Sequence, residues 1–249
     1  MIEPFFFGPR NALALYHPSA DPACLKLLII CPPLFDEYQR VYKALSDLGN
    51  ACAAHPRGPH VMRIDYSGTG EAFGELSDAT IRDWLDDINC AIDEGRALTG
   101  AEEVILAGVR IGATIAAQCR HPAVSQYVFW DPIDTGIEYL QWLQHVNKLI
   151  EEKHRKMAEQ VNLKHEDIQY VNFELNNKLS QEFKELSVEA LRTERPDSVR
   201  VVTTDPEIHS SGKYHNCDFS GFEYDWPAFH EGNLTPKPVL ETIAKKVLY

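Results

Sequence analysis

Val104-Ile105-Leu106-Ala107-Gly108-Val109-Arg110-Ile111-Gly112-Ala113 is the stretch whose reading decides the fold. Val104–Ala107 is a short apolar run, the pattern of a strand buried on both faces. The residues after it, Ile111–Cys119, are small and apolar and read as a helix that can lie close to its neighbours. Gly108 and Gly112 flank the central residue of a strand–turn–helix. They permit a sharp turn and a close helix–strand approach, and the middle residue is presented at the end of the sheet. In the G-x-S-x-G form of this turn that residue is a nucleophilic serine. Here it is Arg110, which carries no nucleophilic oxygen and stays protonated. A covalent serine route is therefore closed at this position.

Working outward, strand and helix signals alternate on both sides. Pro4–Gly8 and Ala12–His17 read as two short strands joined by a Gly-Pro turn. Leu25–Cys31 is a buried strand ending at Pro32-Pro33, and Tyr38–Leu48 a helix. Val61–Tyr66 is a strand closed by the turn Ser67-Gly68-Thr69-Gly70. Thr80–Leu98 is the clearest helix: Ile81, Trp84, Leu85, Ile88 and Ile92 share one face, and Thr80 with Asp83 resembles a capping box. Tyr127–Trp130 is a further strand, closed by Asp131-Pro132. This alternation predicts a mostly parallel sheet with right-handed crossovers. From about residue 135 to 195 the signals turn helical, as Ile137–Gln160 and Lys178–Leu191. Val199–Thr203 returns as a strand, 207–233 reads as loop, and Pro238–Leu248 closes as a helix.

Composition bounds the function. The 249 residues carry a formal net charge of −13, with 44% hydrophobic and 24% charged residues, which fits a globular chain. Such a field repels polyanions, so nucleic-acid binding is not expected. No stretch approaches the ~18 apolar residues of a membrane span. The N-terminal segment lacks the basic and long apolar regions of a signal peptide. Cys24, Cys31, Cys52, Cys90, Cys119 and Cys217 form no C-x-x-C pair, and read as free thiols of a cytoplasmic protein.

Several runs together resemble a known family. They are Pro33–Arg40 (PLFDEYQR), Asp65–Gly70 (DYSGTG), Trp84–Asp87 (WLDD), Gly108–Gly112 (GVRIG) and Phe129–Pro132 (FWDP) with Gly136, Tyr139 and Leu140. They look like the exosortase A system-associated hydrolases, bacterial members of the α/β-hydrolase superfamily, in the type with arginine at the elbow. The similarity is good over about residues 1–150 and weaker beyond. It implies one α/β-hydrolase domain over 1–249, with a helical lid inserted at 135–195.

In such sheets ligands lie beyond the carboxyl ends of the strands. Those ends present Leu34–Glu37, Asp65–Gly70, Arg110, Asp131, Asp134 and Asp205. Leu34 and Phe35 occupy the place of the oxyanion loop, with Ile111 supplying the other backbone N–H. Asp205 stands where a triad acid follows its strand. His230 is the best match for the triad histidine, with His209 and His215 as competitors. Arg110 reads either as an anion receptor at a helix N-terminus or as one half of an internal ion pair with Asp131, Asp205 or Glu37. Ser67 is a candidate second nucleophile but is more economically a turn residue, and Cys31 is more economically a core thiol. His209, His215, Cys217 and Asp218 are metal-ligand types whose spacing matches no zinc pattern, so neither metal nor cofactor is expected. His145, His154 and His165 read as solvated. The stripe Ile137, Leu140, Leu143, Val146 and Ile150 fits docking of the helix on its own domain, an acyl-chain pocket, or a homodimer through the lid helices.

Two functions follow. The first is an atypical enzyme acting on an acyl, ester or thioester group of a small metabolite or glycan precursor, with an anionic or acyl ligand and no serine nucleophile. Arg110, Asp205, His230 and Asp131 would be its catalytic residues. The second is a catalytically dead pseudo-hydrolase that binds a ligand or partner.

Overall fold

A computed structural model describes residues 2–160, 175, 177–226 and 234–249. Its eight-stranded sheet has the order β1-β2-β4-β3-β5-β6-β7-β8. β1 (Glu3–Phe7) and β2 (Ala12–His17) form an antiparallel hairpin, and β2 runs antiparallel to β4 (His60–Asp65). The remaining neighbours are parallel: β3 (Lys26–Cys31), β5 (Glu103–Val109), β6 (Val124–Trp130), β7 (Val199–Thr203) and β8 (Cys217–Phe219). The central strands are near-continuous apolar runs because helices cover both faces and leave no side of the pleat to solvent.

On one face α1 (Phe35–Ala54) and α8 (Lys237–Leu248) cover Leu28, Ile30, Ile105, Val128 and Val202. On the other, α2 (Ile81–Thr99) and α3 (Ile111–Ala116) cover Leu27, Ile29, Leu106 and Phe129. Of the capping box expected at α2, the N-cap half is present. The Thr80 hydroxyl accepts the Asp83 amide and in turn donates to the Asp83 carboxylate at 2.5 Å. The helix stops at Gly100, which takes φ 74° at the C-cap.

Between β6 and β7 lie α4 (Gly136–Gln160), α5 (Asn177–Glu185) and α6 (Glu189–Glu194). α4 can start beside α5 because Gly136 has no side chain: a Cβ there would stand 1.8 Å from the Phe183 carbonyl oxygen. The apolar stripe of α4 is rotated from the expected one. Tyr139, Leu143 and Val146 are buried, whereas Ile137 is 48% exposed. The Ile150 side chain, His154 and His165 lie outside the described side chains.

Two expectations fail here. Lys178–Leu191 is not one helix. It breaks at Leu186–Val188, where Ser187 bridges to Thr135 and the Val188 amide bonds the Asp134 carbonyl, so tertiary pairing overrides local helix preference. Residues 207–233 are not all loop. Asp205 caps a short helix α7 (Pro206–Ser210), with Pro206 suited to its first turn, and β8 adds to the sheet edge. β8 has only three residues, all half-buried, so no periodicity marks it.

Candidate functional site

The elbow is built. Arg110 takes φ 54° and ψ −124° between β5 and α3. Both glycines are required by close approach. A Cβ on Gly108 would stand 2.3 Å from the Ala113 Cα, and one on Gly112 2.2 Å from the Pro32 carbonyl oxygen. The start of α3 therefore rests directly on the end of β3. Three non-glycine residues with positive φ sit at the ends of adjacent strands: Phe35 (56°) just beyond β3, Arg110 (54°) after β5 and Asp131 (42°) after β6. Among the described residues one other exists, Asn11 in the β1–β2 turn. Each such position costs about 1–3 kcal/mol, and strain of this kind gathers where side chains must be aimed.

The Arg110 side chain is 12% exposed and is held on several sides. Its Nε donates to Glu37 Oε1 at 2.7 Å, and Nη1 to the Asp131 carbonyl oxygen at 3.3 Å. Its guanidinium carbon lies 4.8 Å from the Trp226 ring centroid and 5.8 Å from that of Trp142. The internal-pair reading is thus realised, with Glu37 as the acid. Glu37 comes from the first turn of α1 and is fully buried. Burial raises its carboxyl above the ordinary value, and the Arg110 and Arg40 charges oppose that rise. Its second oxygen, Oε2, has no hydrogen-bond partner among the described residues.

Asp131, expected to be catalytic, does not pair with Arg110 through its carboxylate. That carboxylate accepts from the Thr203 hydroxyl (2.9 Å), the Thr204 amide (2.7 Å), the Thr204 hydroxyl (2.6 Å) and the Trp226 indole (2.8 Å). It ties β6 to β7 and seats the indole that lies against Arg110. Asp205 is likewise elsewhere: its carboxylate accepts the Glu207 amide at 2.8 Å and caps α7. His230 lies outside the described residues. His209 bonds the Cys217 carbonyl and His215 pairs with Asp197 on the surface, so neither is brought to Arg110. Ser67 is buried, with its hydroxyl on Asp87 at 2.7 Å, and Asp87 also receives Arg10. It lines neither cavity described below. Cys31 is fully buried and its thiol is pushed far up by desolvation, the state of a core thiol. Among the described residues no group of three or more acidic, His or Cys side chains could hold a metal ion.

Two cavities lie at the strand ends, and the smaller is lined by Arg110. The larger, about 610 Å³, runs along Pro32–Phe35, Tyr38, Tyr42 and the 68–71 turn, with Lys43, Asp65 and Glu71 at its polar parts. Asp65 is fixed by the Tyr38 hydroxyl and the Glu71 amide. The smaller, about 230 Å³, is lined by Arg110, Pro132–Asp134, Trp142, Lys213 and Tyr214 among others. A stack of three rings separates them. Phe35, which faces the larger, lies parallel to Tyr139 at 6.4 Å, and Tyr139 lies parallel to Trp142 at 5.5 Å. Leu34 and Phe35 thus stand where expected, beside the larger cavity, and Ile111 opens α3 with its amide in the first turn. Glu37 lines neither space and serves Arg110 instead. Trp142 and Trp226 carry no sequence signal for the site, and Tyr139 is marked only by the resemblance, without a site role. Trp226 lay in a stretch read as loop, and nothing in α4 distinguishes site-facing from core-facing aromatics.

No family model and no curated protein matches the chain. Solved structures do. Est1E from Butyrivibrio proteoclasticus, in a complex with ferulic acid, superposes with a TM-score of 0.60 at 16% identity, over 98% of this chain and 96% of that one. A putative hydrolase from Agrobacterium vitis gives 0.55 at 17% identity (99% and 97% covered). Alpha/beta hydrolase domain-containing protein 10 from mouse gives 0.54 at 16% (99% and 96%). With the eight-stranded sheet and the built elbow, these likenesses establish that the chain has the α/β-hydrolase fold.

Proposed function

We propose that this protein acts on the acyl, ester or thioester group of a small metabolite or glycan precursor without forming a covalent serine intermediate. The observation that carries this reading is the elbow itself. Its strained backbone is kept, and its apex holds a cation that is paired with a buried acid and lines a cavity. The substrate body occupies the larger cavity against Phe35, Tyr38 and Tyr42, and the segment 135–195 acts as the lid of a single domain. The Arg110 guanidinium and the Ile111 amide stabilise the carbonyl oxygen as negative charge develops there. Water adds to the carbonyl carbon, and its proton passes through a base to the departing alcohol or thiol, leaving the carboxylic acid. Glu37 is the acid nearest Arg110; His230 with Asp205 is the other candidate for this proton transfer.

The test is a panel of acyl esters, feruloyl esters and acyl thioesters assayed on wild type, Arg110→Ser and Glu37→Gln. Wild type is expected to turn over at least one class with no labelling by a fluorophosphonate. Arg110→Ser is expected to lose about 10²–10³ in kcat/KM, the loss seen when one oxyanion donor is removed. A wild-type protein inert across the panel ends this reading. The second reading, an inert ligand-binding pseudo-hydrolase, is favoured by one observation. Asp131, Asp205 and Ser67 are each committed to structural hydrogen bonds.

A further inference from the structure

The smaller cavity carries chemistry that the elbow does not need for itself. Arg110 spends one N–H on Glu37 and one on the Asp131 carbonyl. The rest of its five N–H donors make no hydrogen bond among the described residues. The Trp142 ring lines the same cavity, while its indole nitrogen is buried away from it with no hydrogen-bond partner among the described residues. Lys213 stands across the space and binds Asp134, to which the Tyr214 hydroxyl also donates. Burial lowers the Lys213 ammonium from its ordinary value, the mark of a partly desolvated cation. The acids at this cavity are already engaged. Asp134 holds Lys213 and Tyr214, and Glu138 accepts the Thr135 amide at the start of α4.

We propose that this cavity is a subsite for the carboxylate of a small-molecule ligand, gripped by the free edge of Arg110 and by Lys213, with the Trp142 ring as its wall. Supporting this, the Arg110 donors outnumber the acceptors left for them, and its planar fork matches a planar oxyanion. A carboxylate is favoured over a phosphate dianion because Asp134 and Glu138 line the same space and repel a second negative charge. Its volume of about 230 Å³ suits a small acid group and not the ligand body. The proposal rests on the reading of the site given above and assigns to it an anion-binding pocket at Arg110.

The experiment is equilibrium binding of benzoate, with benzamide and inorganic phosphate as comparators, to the full chain by calorimetry and tryptophan fluorescence. Benzoate is expected to bind at least about tenfold more tightly than benzamide or phosphate, since one charge-assisted contact exceeds 1.4 kcal/mol. Lys213→Met is expected to remove most of that preference and Lys213→Arg to restore it. Equal binding of benzamide, equal or tighter binding of phosphate, or an unchanged preference in Lys213→Met overturns the proposal, as does absence of benzoate binding. Benzoate binding as expected in a protein that hydrolyses nothing on the ester panel leaves this subsite standing and removes the enzymatic reading alone.

Discussion

Two buried carboxylates stand at the strand ends, and they are held in opposite ways. Asp131 is surrounded by four neutral donors from Thr203, Thr204 and Trp226. Glu37 has one partner, the Arg110 cation, and one oxygen with none among the described residues. A carboxylate saturated by neutral donors is a structural tie: each bond contributes a modest net amount and none is available to a ligand. A carboxylate paired with a single cation, in a site with unmade bonds, is stable only while that cation stays. The comparison separates the scaffold of the site from its working part.

The largest effect expected from breaking this contrast is Glu37→Ala. It leaves Arg110 charged and poorly paired in a site that is only 12% exposed, and is expected to cost about 3–5 kcal/mol in urea denaturation. The double variant Glu37→Leu with Arg110→Met is expected to recover most of that loss, because both charges are removed together. If the double variant is as unstable as Glu37→Ala, the pair is not the cause.

Asp131→Ala is expected to cost about 2–4 kcal/mol, since four donors lose their acceptor at once and the hydrogen bonds are charge-assisted. Quenching and emission of Trp226 are expected to change as well, because its indole nitrogen is released. A loss below that of Thr204→Val alone would mean that water replaces the carboxylate freely.

Arg110→Ser sharpens the comparison through pH. The folded-state carboxyl of Glu37 lies above its unfolded value. The native state therefore holds more protons than the unfolded state across the interval between the two, and stability falls as pH rises through it. Removing Arg110 deletes the attraction that opposes this rise and widens the interval upward. Arg110→Ser is thus expected to be more destabilising at roughly pH 8 than at roughly pH 5. Adding Glu37→Gln is expected to flatten that dependence. A pH-independent loss would show that Glu37 is not the titrating group.

The smallest effect is Thr204→Val. It removes one of four donors to Asp131 and is expected to cost about 0.5–1.5 kcal/mol, with no change in ligand binding.

The elbow, the strand–helix alternation and the long helix α2 were legible in the chain because each rests on local rules. Gly108 and Gly112 mark a close approach, apolar runs mark doubly covered strands, and Thr80 with Asp83 marks a helix start. β8 was not legible, since three half-buried residues carry no period, and the break at Leu186–Val188 was not, because the pairing of Ser187 with Thr135 is non-local. Among site residues, Leu34, Phe35 and Arg110 stand where fold logic put them. Asp205 and Ser67 also follow their strands, but their side chains are committed to the Glu207 amide and the Asp87 carboxylate, because a short polar side chain at a turn bonds the nearest amide or carboxylate as readily as a ligand.

The sequence by itself determined that a fixed positive charge stands where a serine would attack, because five consecutive residues specify both the turn and its occupant. Only the tertiary structure decided what that charge touches. Glu37, Asp131, Trp142 and Trp226 lie on four different elements and loops. Arg110 is separated from Glu37 by 73 positions and from the Asp131 carbonyl by 21. Pairing across such separations follows from how strand ends, the first turn of α1 and α4 are brought together by burial of two apolar cores. No local pattern records it.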